Sequence, residues 1–364
     1  MIRCDALIVG GGPAGSTCAR ELRDAGWDVI VADRAAFPRD KVCAGWLTPE
    51  VFRLLELDPA EYRGAGLTLQ AISAFRTGVL GHALIETRYP RTISYAIRRC
   101  EFDDFLLRRA HVRVFERTPV ETVRRRGDTW IVNDAIEASV IVGAGGHFCP
   151  VARYMRGGPD IASPVVAKEA EFRLDGRDVR LRPDVPELFF CRDLEGYAWC
   201  VPKGEYLNVG IGRRVSREFG THVKNFINFL EQRVWLTHAS ELRWRGHAYF
   251  ASGVGARPLV RRGMLLVGDA AGLAYPESGE GIRPAIESGR LAARTLIAAN
   301  GLCDLDALEP YAESLRRLHP AMATRGAPAR AAAAAIGRLL LGSPVFTRHV
   351  VLDRWFLRAS RTFA

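Results

Sequence analysis

Gly10, Gly12 and Gly15 follow an apolar run, Ala6 to Val9, and Asp33 closes the next apolar run, Val29 to Ala32. Each glycine has its own physical task. Gly10 makes a tight turn, Gly12 lets the backbone approach a pyrophosphate, and Gly15 allows a helix to pack closely on a strand. Pro13 and Ala14 open that helix, whose unpaired N–H groups can face phosphate oxygens. Asp33 can accept hydrogen bonds from ribose hydroxyls. With strand, helix, second strand and terminal acid all in place, the pattern predicts a dinucleotide site rather than a glycine turn in an empty βαβ unit.

Two later segments repeat the theme. Val140 to Gly146 is an apolar strand ending in glycines, and Leu265 to Gly272 runs Leu-Leu-Val-Gly-Asp-Ala-Ala-Gly with Asp269 at the strand's end. Gly279 and Gly281 then open a helix carrying Ile282, Ile286, Gly289, Ala293 and Leu296 at helical spacing. Its first amides are a second place for an electron-rich ligand. The three strand-to-glycine turns are expected to meet around one cofactor. The eight cysteines lie far apart, with no CxxC pair and no zinc-ligand spacing. Reduced, mostly buried thiols are expected, and no metal.

The elements that must position these residues fall into contrasting blocks. Residues 2–33 form a βαβ unit, with a helix running to about Gly26 and Cys18, Leu22 and Ala25 on its apolar face. Residues 165–213 hold short apolar runs separated by Gly, Pro and Asp, which predicts an antiparallel sheet; a helix follows from about Arg217 to Val234. The chain is helical again from about Asp304.

Composition bounds the partners. The 364 residues are 48% hydrophobic and 25% charged, as in ordinary globular proteins. The net charge is +10, yet only four of the 51 basic residues are lysines, and the arginines are scattered without a nucleic-acid motif. Nucleic acid is therefore not an expected partner; cofactor phosphates or an anionic lipid surface are. No run is long and apolar enough to span a bilayer, and the N-terminus enters a strand at once. A cytoplasmic protein is expected.

Together GGGPAG, Arg99-Cys-Glu-Phe-Asp103 and Gly268-Asp-Ala-Ala-Gly272 with PESGEGI resemble FAD-dependent oxidoreductases of the p-hydroxybenzoate hydroxylase fold. Within them, Phe37-Pro-Arg-Asp-Lys-Val-Cys43-Ala-Gly45 and Gly196-Tyr-Ala-Trp-Cys-Val-Pro-Lys203, followed by Asn208-Val-Gly-Ile-Gly212, resemble the geranylgeranyl reductase family. The resemblance implies an α/β fold: a Rossmann-like FAD-binding domain (1–65, 90–155, 255–300) interleaved with an antiparallel-sheet substrate domain (66–89, 156–254), and a helical tail (301–364). It implies that Gly10, Gly12, Pro13, Ala14, Gly15, Asp33 and Arg34 hold the ADP half of FAD. Arg99 would contact its ribose and pyrophosphate, Asp269 the ribityl region, and the amides of Gly279, Gly281 and Ile282 the ring. Arg39, Lys41 and Ala44 would stand at the flavin mouth, Cys43 on the substrate side, and Tyr197 and Trp199 along the substrate cavity. Cys43, Tyr197 and Trp199 are the candidate catalytic residues, with water, Cys43 or Tyr197 as proton source.

Two positions depart from the family pattern. Its Gly-Ala-Asp-Gly turn, associated with both FAD and nicotinamide binding, reads Gly143-Ala-Gly145-Gly146 here, so Gly145 lacks that carboxylate, and NADPH is not assured as electron donor. Cys-Gly-Gly reads Cys43-Ala44-Gly45, leaving the backbone less free. The implied function is FAD-dependent reduction of C=C bonds in a lipophilic, isoprenoid-like substrate. The alternatives are a monooxygenase or halogenase acting on an aromatic substrate, and a non-catalytic flavin-binding redox partner. Residues 327–346 and 349–364 pair apolar residues with Arg330, Arg338, Arg354, Arg358 and Arg361. They are expected as an amphipathic pair packed on the FAD domain; the competing expectation is a basic helix touching an anionic membrane.

Overall fold

The computed structural model describes residues 1–158, 164–174, 181–214, 218–232, 236, 238–251, 257–319 and 327–358. A mostly parallel sheet holds the strand Ile2–Val9 at its centre, flanked by Val29–Ala32 and Ile136–Gly143, with Met264–Leu266 beyond the latter. Ala6, Leu7 and Ile8 are wholly buried, as a strand covered on both faces requires. Register is what makes the site. Val9 stands opposite both Ala32 and Gly143, and Gly143 stands opposite Leu266. Parallel strands in this register release Gly10, Asp33, Ala144 and Gly268 at one edge, where ligands of such sheets bind.

The helix Pro13–Asp24 lies along Ile282–Ala298. They approach so closely that a Cβ at Gly289 would overlap the Ala14 carbonyl oxygen. Cys18 and Leu22 are buried as expected, but the helix ends at Asp24, so Ala25 caps it and is exposed.

A second, seven-stranded sheet runs in the order Arg245–Tyr249, Val165–Arg173, Tyr206–Arg214, Gly196–Lys203, Glu187–Phe190, Ala74–Val79, Ile85–Arg88. All pairs are antiparallel except Glu187–Phe190 with Ala74–Val79, because those two come from separate chain segments. One face is covered by the helix Phe219–Glu231 through Val223, Phe226 and Leu230; the outer ends expected for that helix, at 217 and 234, lie outside the described residues. A three-stranded sheet, Trp46–Leu47, Ser94–Ile97 and Leu69–Ile72, bridges the two large sheets.

The tail corrects an expectation. The helix Leu305–Leu318 does pack on the parallel-sheet core through Leu308, Tyr311, Ala312 and Leu315. The later pair does not: Leu341, Val351, Leu352, Phe356 and Leu357 join Phe75, Leu188, Phe190 and Trp199 on the antiparallel sheet. That face of the sheet is apolar and uncovered by any other helix among the described residues, so burying it is the larger hydrophobic gain.

Candidate functional site

A cavity of about 690 Å³ lies between the two large sheets. All three glycine turns open into it. Of the site residues singled out in the sequence, only Gly15 is off its surface. Gly15 instead packs behind the turn, where any Cβ would collide with the Gly10 carbonyl oxygen. Gly10 needs its own freedom: φ is +114°, and a Cβ there would sit 2.5 Å from the Ala144 oxygen.

At the glycine end, Asp33 is held from both sides. Its Oδ2 accepts from the Gly11 N–H at 2.8 Å and its Oδ1 from the Ala35 N–H at 2.9 Å. No side chain caps the helix Pro13–Asp24, so its first amides are not claimed by a cap. The Thr48 hydroxyl, on the cavity wall, is buried without a partner. A glycine cradle, an uncapped helix start, a fixed carboxylate and an orphaned hydroxyl fit a dinucleotide with ribose and pyrophosphate groups.

The middle of the cavity is ionic. Arg99 grips Asp103 with two bonds of 2.8 and 2.9 Å, and Arg39 reaches the same carboxylate at 3.1 Å. Two guanidiniums on one carboxylate leave a net positive wall, suited to a diphosphate. Lys41 meets His247 and lies 3.9 Å from Asp269. Burial pulls the Lys41 ammonium down to about 8, with Asp269 opposing. Burial works against ionised Asp269, but His247, 3.9 Å away, and Lys41 outweigh it, so its pKa falls below the usual range. His247 and Asp103 were given no role on sequence grounds; their partners come from distant segments.

The far end is apolar, walled by Val42, Ala44, Trp46, Tyr197, Trp199 and Phe356. Tyr197 and Trp199 alternate on one strand and face the same way, with rings 5.9 Å apart. The Tyr197 hydroxyl donates to the Ser278 carbonyl at 2.5 Å, and burial drives its pKa far up. That proton is committed, so Tyr197 ties the sheet to the glycine turn and is a poor acid. Gly210 gives the Trp199 indole its place: a Cβ there would lie 2.6 Å from Cε2.

Cys43 is clamped through its backbone. Its N–H donates to Glu169 Oε2 at 2.7 Å, and its carbonyl accepts from Asn208 Nδ2 at 3.4 Å. Asn208 also accepts the Trp199 indole N–H at 2.7 Å and donates to Glu169 and Glu171. Glu171 takes the buried Lys203 ammonium at 2.6 Å and Arg98 at 3.0 Å. Burial lifts Glu169 to about 7, with Lys203 opposing. Asn208 stands in a family-like motif, but Glu169 had no sequence signal. Cys43→Ser preserves the clamp and is expected to lower turnover per folded molecule roughly 100-fold if the thiol serves proton transfer. Near-normal turnover with a lowered melting temperature would make Cys43 a packing residue.

Gly145 lines the cavity, and a Cβ on it would lie 3.2 Å from the Cys149 Cα. A larger side chain at 145 would need that backbone to give by a few tenths of an ångström. Glu280, in the turn before Ile282, was missed. Its Oε1 accepts from the Arg283 N–H at 3.3 Å, while its Oε2 is sealed without a partner. Burial raises it from 4.5 to about 7. A carboxyl that holds its proton more tightly when folded contributes stability at low pH and loses it as pH rises. Relative to Glu280→Gln, the wild type should therefore lose up to about 3 kcal/mol between the two pKa values. Denaturant titrations of both proteins from pH 4 to 8 measure this; parallel curves would exclude it.

The chain is similar to known proteins over most of its length. Residues 5–105 match a family described as FAD dependent oxidoreductase. A digeranylgeranylglycerophospholipid reductase of Methanothrix thermoacetophila is 29% identical over 319 residues, 82% of this chain and 78% of that one. A menaquinone reductase of Mycolicibacterium smegmatis is 27% identical over 338 residues, 85% and 80% of the two chains. The crystal structure of a geranylgeranyl bacteriochlorophyll reductase-like protein from Thermoplasma acidophilum superposes with a TM-score of 0.73 at 21% identity, covering 94% of this chain and 88% of that one. The protein is an FAD-dependent oxidoreductase, and its fold is that of the geranylgeranyl reductase-like flavoprotein. It resembles the geranylgeranyl reductase family.

Proposed function

We propose that this enzyme reduces carbon–carbon double bonds of a lipophilic, isoprenoid-like substrate held in the apolar end of the cavity. The observation that carries the reading is continuity: one cavity runs from the glycine turns and paired arginines to a chamber of Trp46, Tyr197, Trp199 and Phe356. Apolar walls with few polar groups suit a hydrocarbon chain. The names of the two relatives, a digeranylgeranylglycerophospholipid reductase and a menaquinone reductase, support the same reading.

In this reading the segments 1–65, 90–155 and 255–300 carry the cofactor, 66–89 and 156–254 the substrate, and 301–364 the tail. FAD, when bound, supplies hydride chemistry. Asp33 and the first glycine turn would hold its adenosine half, Arg99 and Arg39 would balance its phosphates, Lys41 would stand at the flavin mouth, and the amides of Gly279, Gly281 and Ile282 would face its ring. The aromatic walls exclude water and align the chain, and Cys43 stands where a proton is needed. The test is anaerobic: FAD-loaded protein, reduced by dithionite or by NADPH in separate arms, is given a geranylgeranyl lipid. Products heavier by two hydrogens per bond are expected. Oxygenated product in air with no reduced product anaerobically would favour the monooxygenase alternative.

A lipophilic substrate must be collected from somewhere. Among the described residues no helix is long and apolar enough to cross a membrane. The tail nevertheless exposes Ile336, Leu339, Leu340 and Val345 together, with Arg338 in the same helix, Ala327–Leu341. We propose that this patch rests on an anionic membrane surface. Ile336→Glu with Leu339→Glu should abolish flotation with anionic liposomes, and added salt should weaken the wild type's, since such attraction is screened over about 8 Å. Truncating the tail would be a worse test, because it removes Phe356 from the cavity wall. Equal flotation of both proteins would exclude the patch.

A further inference from the structure

The apolar end of the cavity is closed by a residue from the far end of the chain. Phe356 is 4% exposed and lines the cavity. Its ring stacks on Trp46 at 5.3 Å and 12°, and stands edge-on to Tyr197 at 5.3 Å and to Phe190 at 6.3 Å. Three walls from two sheets thus fix the ring. The segment carrying it, Thr347–Phe356, is pinned before and after. Val351 and Leu352 are fully buried, and the Tyr89 hydroxyl donates to Asp353 at 2.6 Å. Just beyond, Arg358 lies 3.3 Å from the Tyr275 ring centroid and pairs with Glu277 at 3.0 Å. Glu277 adjoins Ser278, whose carbonyl takes the Tyr197 hydroxyl. The ring cannot swing aside without breaking contacts on both flanks, so it acts as a wall and not as a gate.

We propose that Phe356 is the specificity-determining residue for substrate length, its ring forming the end stop of the chamber. The inference rests on the reading that an isoprenoid-like chain occupies this end. A phenyl ring is close in size to one isoprene unit, so exchanging the ring for a smaller apolar side chain opens room for part of one more unit. A single surplus or missing methylene in an apolar pocket already changes selection by about 10-fold or more.

The experiment measures binding, without turnover, of prenols of two, three, four and five isoprene units to FAD-loaded protein by titration calorimetry. Phe356→Ala risks unfolding the tail, because the ring belongs to the core there. Phe356→Leu and Phe356→Trp keep an apolar side chain and push the stop in opposite directions. Leucine removes about three of the seven side-chain carbons, so it should shift the ratio of neighbouring dissociation constants about 10-fold towards the longer prenol. Tryptophan should shift that ratio towards the shorter one. The same length preference in all three proteins overturns the proposal and leaves the reductase reading standing. A wild type that binds no prenol at all refutes that reading itself, and the proposal with it.

Discussion

Gly15→Val is expected to yield a protein that carries no flavin after incubation with excess FAD. The first atom of the new side chain would overlap the Gly10 carbonyl oxygen and lie 3.1 Å from the Ala144 Cβ. Both neighbours are rigid: one is backbone, the other belongs to the adjacent glycine turn. The helix Pro13–Asp24 would have to lift off the strand Ile2–Val9, carrying its N-terminal amides away from the cavity. Overpacking of this kind typically costs about 1–3 kcal/mol of stability, well short of unfolding a typical domain. The loss should therefore fall on the flavin-to-protein absorbance ratio more than on folding. Gly26→Ala is the matched control: its φ is +87° but nothing lies within 4 Å of the new Cβ. It should cost about 1–2 kcal/mol through backbone strain and keep the flavin. A Gly15→Val protein with a full complement of FAD would refute this account of the site. The flavin should also leave the wild type on denaturation, since no attachment signature for a covalent bond stands in the sequence.

Asn208→Leu is expected to have the largest effect on stability. The side chains are similar in volume, so the change removes hydrogen bonds with little loss of packing. The Trp199 indole N–H loses its acceptor, and the Cys43 carbonyl, Glu169 and Glu171 each lose a donor. Glu169 keeps the Cys43 N–H and Glu171 keeps Lys203 and Arg98, so two groups, the indole N–H and the Cys43 carbonyl, are left unsatisfied at about 1–3 kcal/mol each, and a total of about 2–6 kcal/mol is expected. Against a typical total of about 5–15 kcal/mol that is a large fraction. Freed from Asn208, the Cys43 loop should also react faster with iodoacetamide in the folded state. An unchanged denaturant midpoint with unchanged Cys43 reactivity would show that the network does not hold the loop.

The glycine turns were legible because the constraint they answer is local. A tight turn at Gly10, or a helix start against a strand at Gly15, is a demand on one residue's backbone and its immediate neighbours. The parallel arrangement followed from the alternation of apolar strand and helix, and it brought Gly10, Asp33, Ala144 and Gly268 to one edge without further instruction. Tyr197 and Trp199 were legible as a pair for the same reason, since alternation on a strand decides that both point one way.

Tertiary structure decided the rest. Alternation could not show that Tyr197 would donate a hydrogen bond to the Ser278 carbonyl, 81 residues away. Nor could it show that Asn208 would reach Cys43 across 165 residues and Glu169 across 39. The titration of Glu169 and Glu280 likewise depends on burial and on which charges the fold sets beside them, and neither is written in their own segments. The tail shows the limit most plainly. Its sequence declared an apolar face with arginines around it, and that much held for Arg338, Arg354 and Arg358, while the Arg330 side chain and Arg361 lie outside the described residues. An apolar face records only that it must be covered, not by what, because burial is nondirectional and any complementary surface satisfies it. Only the assembled antiparallel sheet, with one face left bare, determined that Phe356 would line the apolar end of the cavity.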